Sequence, residues 1–313
     1  MIALTGYTGF VGSLLLKALD PDDVLLLGRK APPSYPHFNF FDLSDTENLK
    51  LKTCLRPVDV LIHSAARVHV MNDNAVDPLS EFRAINTDGT LKLAEQAAQA
   101  GVKRFIFVSS IKVNGESTTG KQPFSDADEP APEDPYGISK AEAEHQLFEL
   151  GEQTGMEIVI IRPPLVYGEG VKANFASLMR LVAKGLPLPF RLIKNNKRSL
   201  VSVYNLVDLI KVCIDHPNAA NQVFLASDDY DLSTAEMVAQ MAKVQNKPNL
   251  AIPVPVWCFK LAGKLLGKPA VIDRLTGSLQ LDIAHTKNTL NWTPPYSVEH
   301  GFKLAAKKSS TNN

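Results

Sequence analysis

Cysteine is scarce in this 313-residue chain: Cys54, Cys213 and Cys258 lie far apart and form no CxxC pair. That excludes a disulfide framework and reads as three small buried hydrophobes in a reducing compartment. The seven histidines show no HExxH or similar spacing, so no metal site is expected. Apolar runs long enough to span a bilayer are missing, and the chain enters a strand at once, with no signal-peptide pattern. The expected address is cytoplasmic, without membrane insertion. Net charge is missing as well, because Lys+Arg and Asp+Glu number 33 each. Such a balance suggests neither nucleic acid nor an anionic membrane as partner. The one basic run of note, Lys307-Lys308, sits in a polar tail expected to fray. Internal repeats and low-complexity segments are not visible.

What the sequence does have is glycine in one informative place. Ile2-Ala3-Leu4 reads as a short buried strand, Gly6, Gly9 and Gly12 follow, and an apolar helix runs from Phe10 to Leu19. One glycine permits a tight strand-to-helix reversal. One lets a pyrophosphate approach the backbone at the helix N-terminus, and one lets helix and strand pack closely. Glycine triplets are common, but one placed between the first strand and the first helix is the context of a dinucleotide fingerprint.

Strands and helices then alternate. Val24 to Leu27, Phe38 to Phe41, Val58 to Ile62, Phe105 to Val108 and Ile158 to Ile161 read as further strands, with helices over Thr46 to Leu55 and Glu81 to Gln99. Near-continuous apolar strands joined by helical crossovers predict an α/β fold with a doubly wound parallel sheet covered on both faces. Right-handed crossovers put every strand C-terminus on one edge, where ligands bind. From Leu165 strands become scarce and proline-rich stretches such as Leu186-Pro187-Leu188-Pro189 and Ile252-Pro253-Val254-Pro255 appear. The expected division is residues 1–164 and 200–227 in a dinucleotide-binding domain, with 165–199 and 228–313 in a smaller substrate lobe.

Tyr136 and Lys140 stand four apart at the start of a helix behind Pro135, so both project from one face. An ammonium beside a phenol favours the ionised phenol and lowers its pKa. Ser109-Ser110 ends the fifth strand, at the edge where the glycine loop also points. A serine hydroxyl there can hydrogen-bond a substrate oxygen. Tyr-x-x-x-Lys alone also describes an ordinary surface pair; the strand-end serine and the glycine loop give it chemical meaning.

These residues carry a resemblance. The chain resembles the extended, nucleotide-sugar-modifying branch of the short-chain dehydrogenase/reductase superfamily. The match runs through Thr5-Gly6-x-x-Gly9-Phe10-x-Gly12, Asp42-Leu43, His63-Ser64-Ala65-Ala66, Asn86 with Gly89-Thr90, Ser109-Ser110, Tyr136-x-x-x-Lys140, Arg162-Pro163-x-x-Val166-Tyr167-Gly168 and Leu290-Asn291-Trp292. The resemblance implies a Rossmann-type sheet with a smaller C-terminal lobe, and Ser110, Tyr136 and Lys140 as the catalytic set. It implies that Asp42 and Leu43 hold the adenine, that Ala65 and Ala66 line the middle of an NAD(P) cofactor, and that Pro163 lies by the nicotinamide. Thr8, Phe10, Val11, Ser64 and Val108 join the cofactor contacts, and Lys140 also holds a ribose. On the substrate side it implies Asn114, Asn174, Arg198 and Arg274, with His69 facing a UDP-sugar and His63 structural. A homodimer is compatible with all of this.

Departures from the family narrow the reaction. Sugar 4,6-dehydratases carry an Asp-Glu pair after the catalytic hydroxyl residue; here those positions are Ile111 and Lys112. Many 4-epimerases have Tyr at the place of Asn114 and Asn at the place of Leu165. The segments Ala65 to Asp73 and Ser110 to Gly115 look most like bacterial UDP-4-keto-6-deoxy-N-acetylhexosamine 4-reductases that serve surface polysaccharide. Gly28-Arg29-Lys30, with no acid after the second strand, agrees with NADPH through contact of Arg29 with a 2′-phosphate. The leading expectation is therefore 4-keto reduction with NADPH favoured. A UDP-hexose or UDP-N-acetylhexosamine 4-epimerase is the alternative, and a non-catalytic NADP(H) sensor a third reading.

Overall fold

The computed structural model describes residues 1–45, 51–68, 77–171, 173–267 and 269–309. It opens with β1 (Ile2–Thr5), α1 (Phe10–Lys17), β2 (Val24–Gly28), β3 (Phe38–Phe40) and β4 (Val60–His63). Then come α2 (Pro78–Phe82), a π-wound turn over Arg83–Gly89, α3 (Thr90–Ala100), β5 (Arg104–Val108), α4 (Pro135–Thr154) and β6 (Glu157–Arg162). Seven strands form one sheet in the order β3-β2-β1-β4-β5-β6-β9, where β9 is Gln222–Leu225, and every pairing is parallel. The strand order reverses between β1 and β4, which creates a crevice at their C-terminal ends.

Alternation along the strands explains why both faces are covered. Ala3, Leu61, Phe105 and Ile158 face a core shared with Leu93 and Ala97 of α3 and Leu147 of α4. Leu4, Ile62, Ile106 and Val159 face the other core, with Leu15 of α1 and Leu206 and Ile210 of α6 (Val203–Asp215). A period of two apolar positions has no polar face to offer, so helices must cover both sides. The helix expected over Thr46 to Leu55 lies partly outside the described residues, and residues 52–57 form turns. The helix expected around Glu81 to Gln99 is present, but its first part is α2 and the π-wound turn.

The remaining elements are β7 (Leu165–Tyr167), α5 (Ala173–Ala183), β8 (Leu200–Ser202), α7 (Thr234–Val244), α8 (Val256–Leu265), α9 (Pro269–Thr276), α10 (Ala284–Leu290) and α11 (Val298–Ser309). Strands β7 and β8 make a separate parallel pair. A third core, with Tyr167, Phe175, Met179, Met241 and Phe302, joins β7 to α5, α7 and α11. Its centre is aromatic: the Tyr167 ring lies 5.3 Å from Phe175 and 4.9 Å from Phe302. Leu279, Leu281, Ile283, Leu290 and Trp292, which the sequence reading put in the small lobe, pack instead in the α1 and α6 side of the sheet core.

Candidate active site

The glycine loop sits at the crevice between β1 and β4. Gly6 has φ +71°, and a Cβ there would meet the Ala65 nitrogen at 2.5 Å. A Cβ on Gly12 would meet the Gly6 carbonyl oxygen at 2.2 Å. Both positions exclude any side chain, so the loop, the start of α1 and the Ser64-Ala65 segment nest together. The Gly9 amide donates to the Gly6 carbonyl at 2.8 Å and closes the turn. Thr8 and Gly9 remain exposed at the tip, where Phe10 begins α1 and Val11 and Gly12 follow. This cradle fits a pyrophosphate: bare backbone, a helix N-terminus and no carboxylate in the first turn.

Neighbouring loops are fastened to it. Ser64 Oγ donates to the Thr5 carbonyl at 2.8 Å. Asn86, presented by the π-wound turn, accepts from the Arg67 amide at 2.8 Å and donates to the Arg67 carbonyl at 3.0 Å. Gly89 lets that turn touch Leu43, since a Cβ would meet the Leu43 carbonyl at 2.7 Å. Asp42 accepts from the Ser44 amide and hydroxyl; these bonds, with nearby Arg29, hold its carboxyl below the usual range. Arg29 itself is exposed just after β2. Tyr7, which drew no notice in the sequence, packs against Gly28 and donates its hydroxyl to the Lys30 carbonyl.

Ser110, Tyr136 and Lys140 converge. Ser110 leaves β5 and caps a short 3-10 turn over Ile111–Val113. Tyr136 stands in the first turn of α4, which Asp134 caps by accepting from the Gly137 amide at 2.7 Å. The Tyr136 hydroxyl is hydrogen-bonded to Ser110, and burial together with the Asp134 charge pushes the phenol up to about 12. Lys140 is buried, donates to the Val108 carbonyl at 2.8 Å and lies 3.7 Å over the Phe107 ring. Burial pulls its ammonium down to about 7, against the opposing pull of Glu144. His63 bridges Thr5 at 2.7 Å and Thr90 at 3.0 Å, and burial holds it neutral, down to about 3. With both ring nitrogens engaged it has a structural post.

The Lys140 shift fixes a pH dependence of stability. Between pH about 7 and its ordinary value of 10.5, the unfolded chain holds a proton that the folded chain lacks. Stability contributed at this site therefore rises with pH across that window. Lys140→Met is expected to flatten that rise, read from urea unfolding midpoints at pH 7, 8 and 9.

The substrate-side candidates divide. Arg198 lies just before β8 and donates to the Arg274 carbonyl at 2.9 Å, so the two predicted arginines are neighbours. Burial, opposed by Glu116 and aided by Arg274, lowers the Arg198 guanidinium. Asn174 is exposed in the first turn of α5. Asn114 is buried, with its amide oxygen accepting from Arg162 at 3.0 Å and its nitrogen donating to the Ser125 carbonyl at 2.9 Å. Those bonds give Asn114 a role in holding its own loop. His69 lies outside the described residues. Lys112, where dehydratases carry an acid, binds Glu116 at 2.7 Å and also Asp134.

A dinucleotide cradle beside a hydrogen-bonded Ser-Tyr pair and a buried Lys defines a nicotinamide-dependent enzyme of the dehydrogenase type. The model of the NAD dependent epimerase/dehydratase family matches residues 2–226, and the chain belongs to that family. It is 55% identical over 309 residues to a Vibrio cholerae UDP-glucose 4-epimerase, covering 98% of this chain and 94% of the relative. The structure is similar to that of UDP-glucuronic acid 4-epimerase from Bacillus cereus in complex with NAD, at TM-score 0.77 and 20% identity, covering 99% and 98% of the two chains. It is also similar to RMD from Pseudomonas aeruginosa complexed with NADPH, at TM-score 0.76 and 21% identity, with 99% of each chain covered. The Rossmann-type fold and the enzyme class expected from the sequence are thereby established, with NAD(P) as the cofactor.

Proposed function

We propose that the chain is a UDP-hexose or UDP-N-acetylhexosamine 4-epimerase. The observation that carries this reading is the 55% identity, along almost the whole chain, to a UDP-glucose 4-epimerase. It moves 4-keto reduction, the leading expectation from the motifs alone, to second place. The site is compatible with it: Ser110, Tyr136 and Lys140 are all present, and the neighbouring Lys112 is bound in ion pairs. The nicotinamide, when bound, supplies a hydride acceptor and donor. Tyr136 takes the proton of the sugar hydroxyl at C4 and returns it once the ring presents its other face. Ser110 donates to the same oxygen, and a charged Lys140, four residues on along the same helix, would favour the ionised Tyr136 phenol. Gly6, Gly9 and Gly12 would hold the pyrophosphate and Asp42 with Leu43 the adenine end. The small lobe would hold the UDP-sugar, and the compartment would be the cytoplasm.

The test is incubation with UDP-glucose and, separately, UDP-N-acetylglucosamine. An epimerase forms the galacto product with no net change in nicotinamide absorbance. The exposed Arg29, in a Gly28-Arg29-Lys30 run that has no acid of its own after β2, favours 4-keto reduction with NADPH as the second reading. No galacto product, with NADPH consumed in proportion to an added UDP-4-keto-6-deoxy-N-acetylhexosamine, would replace the first reading by the second.

Two substitutions probe the ends of the site. Arg29→Asp replaces phosphate attraction with repulsion and is expected to weaken NADPH relative to NADH by about fivefold, in fluorescence titrations. Equal ratios before and after would remove Arg29 as a selector. Arg198 is proposed to clamp the UDP pyrophosphate. Arg198→Ala is expected to raise the KM for the sugar nucleotide about tenfold with little change in NADPH affinity, the loss of one charge-assisted contact. Arg198→Lys recovers only part, because a point charge lacks the guanidinium fork. Unchanged UDP affinity in the Ala variant would detach Arg198 from the nucleotide.

A further inference from the structure

Helix α8 buries almost nothing. Trp257, Lys260, Leu261, Lys264 and Leu265 recur at helical spacing along one exposed stripe, and Gly263 is the one buried residue of the helix. Trp257 is 65% exposed, Leu261 51%, Leu265 77% and Leu266 73%. The other side of α8 is anchored, with Phe259 stacked on Phe190 at 6.0 Å and α9 alongside. The apolar surface continues past the helix. Ile252 and Leu250 are exposed on the strand-like segment that bonds to Leu188 and Arg191 at 2.8 and 3.2 Å. Leu250 in turn borders Ala242 at the end of α7, beside a groove of about 880 Å³ whose rim carries Lys243, Lys247, Lys303 and Lys307.

The segment that carries this face is basic in sequence. No Asp or Glu occurs between Glu236 and Asp273, while Lys243, Lys247, Lys260, Lys264 and Lys268 do. Glu299, the one acid in the groove lining, is already held by Lys243 at 2.7 Å and Lys303 at 2.9 Å. Lys247, Lys260 and Lys264 have no acidic partner among the described residues. The balanced total charge of the chain conceals this local excess. Large apolar side chains flanked by unpaired lysines, on a helix that offers one face to the protein and the other to solvent, match the interfacial region of an anionic bilayer. There Trp and Leu enter the acyl boundary while the lysine stems reach up to the headgroups.

We propose that α8, with the Leu250 and Ile252 segment, docks the enzyme on an anionic lipid surface, lying in the interface rather than crossing it. One other feature agrees: no helix among the described residues is long and apolar enough to span a bilayer.

The experiment is cosedimentation of the full chain with vesicles of phosphatidylcholine alone or with about one third phosphatidylglycerol, at low and high salt. The expected result is pelleting with the anionic vesicles at low salt, reversed by salt and largely absent with phosphatidylcholine alone. Trp257 provides a local reading. Trp292, the other tryptophan, is buried and donates to Asp208 at 2.8 Å, so a blue shift of emission on binding reports α8 and disappears in Trp257→Phe. Leu261→Asp with Leu265→Asp changes exposed residues only; it is expected to abolish pelleting while near-ultraviolet circular dichroism is unchanged. Lys260→Glu with Lys264→Glu is expected to weaken partitioning on the order of tenfold. No pelleting with anionic vesicles would overturn the proposal, as would pelleting that ignores the leucine changes or lipid charge. A dimer that dissociates in the Leu261→Asp, Leu265→Asp variant, without any vesicle binding, would overturn it too and give the face to a second copy of the chain.

Discussion

Tyr136→Phe is expected to lower turnover roughly a hundredfold or more while leaving cofactor affinity within about twofold. The hydroxyl removed is the one hydrogen-bonded to Ser110, and no other described group in that cluster can replace it at neutral pH. His63 is neutral and has both nitrogens engaged, and Lys140 points its ammonium at the Val108 carbonyl. The ring remains in Phe, so its edge contact with Phe82 at 6.1 Å survives and the fold is not challenged. What is lost is a proton-transfer group, so kcat and kcat/KM fall together while binding is unaffected. Lys140→Ala behaves differently. It strips the cation that favours the phenolate and also a proposed ribose contact, so both cofactor affinity and turnover fall. Steady-state kinetics with a parallel cofactor titration separates the two variants. Near-normal turnover in Tyr136→Phe would remove the residue from the mechanism.

Local signals in the sequence were enough for the parts of the site that are contiguous. The glycine loop lies within twelve residues of the start and needs only its own strand and helix to be recognised. Tyr136 and Lys140 share a helix face through their spacing alone. What the sequence could not reveal depends on long-range register. Phe124 bridges to Leu281, and Arg198 bridges to both Leu232 and Leu279, so distant loops form one layer. This layer draws Leu279 to Trp292 into the sheet core and blurs the lobe boundary expected at 228. The π-wound turn at Arg83–Gly89 has no hydrophobic periodicity of its own; it is stabilised by what Asn86 and Thr87 reach, namely Arg67 and Ser139. Reaction type was the least legible feature. The residues expected to separate epimerase from reductase are a few proposed substrate contacts, and one of them, His69, lies outside the described residues. A near-full-length relative shifted that balance where a few local matches could not. Glu144 also escaped notice, because its partners are 18 and 35 residues away and none resembles a motif on its own.

Glu144→Ala is expected to cost about 3–5 kcal/mol of stability. Glu144 sits one turn after Lys140 on α4, buried, and accepts two bonds from Arg162 Nε at 3.1 Å and one from Nη2 at 2.5 Å. It also accepts from Ser109 Oγ. Arg162, equally buried, spends Nη1 on Asn114. One carboxylate thus joins the helix that carries Tyr136, the strand end that carries Ser110 and the strand end that carries Pro163. Removing it leaves a guanidinium in the interior with no counter-charge, which is the expensive way to break a buried pair. Replacing both partners, Glu144→Leu with Arg162→Met, leaves no orphan charge and is expected to recover most of the stability. Turnover should not recover with it. Ser109 has then lost the acceptor that orients the Ser109-Ser110 segment. Lys140 has lost the anion that supports its charge, so its pKa falls further below about 7 and the cation beside Tyr136 disappears at a lower pH. Urea unfolding and a pH profile of kcat on the same two variants separate the roles. If the double variant is both stable and fully active, Glu144 serves folding alone. If Glu144→Ala unfolds within about 1 kcal/mol of the unmodified protein, Arg162 has found water or another acceptor, and the ion pair is not what fastens the three segments.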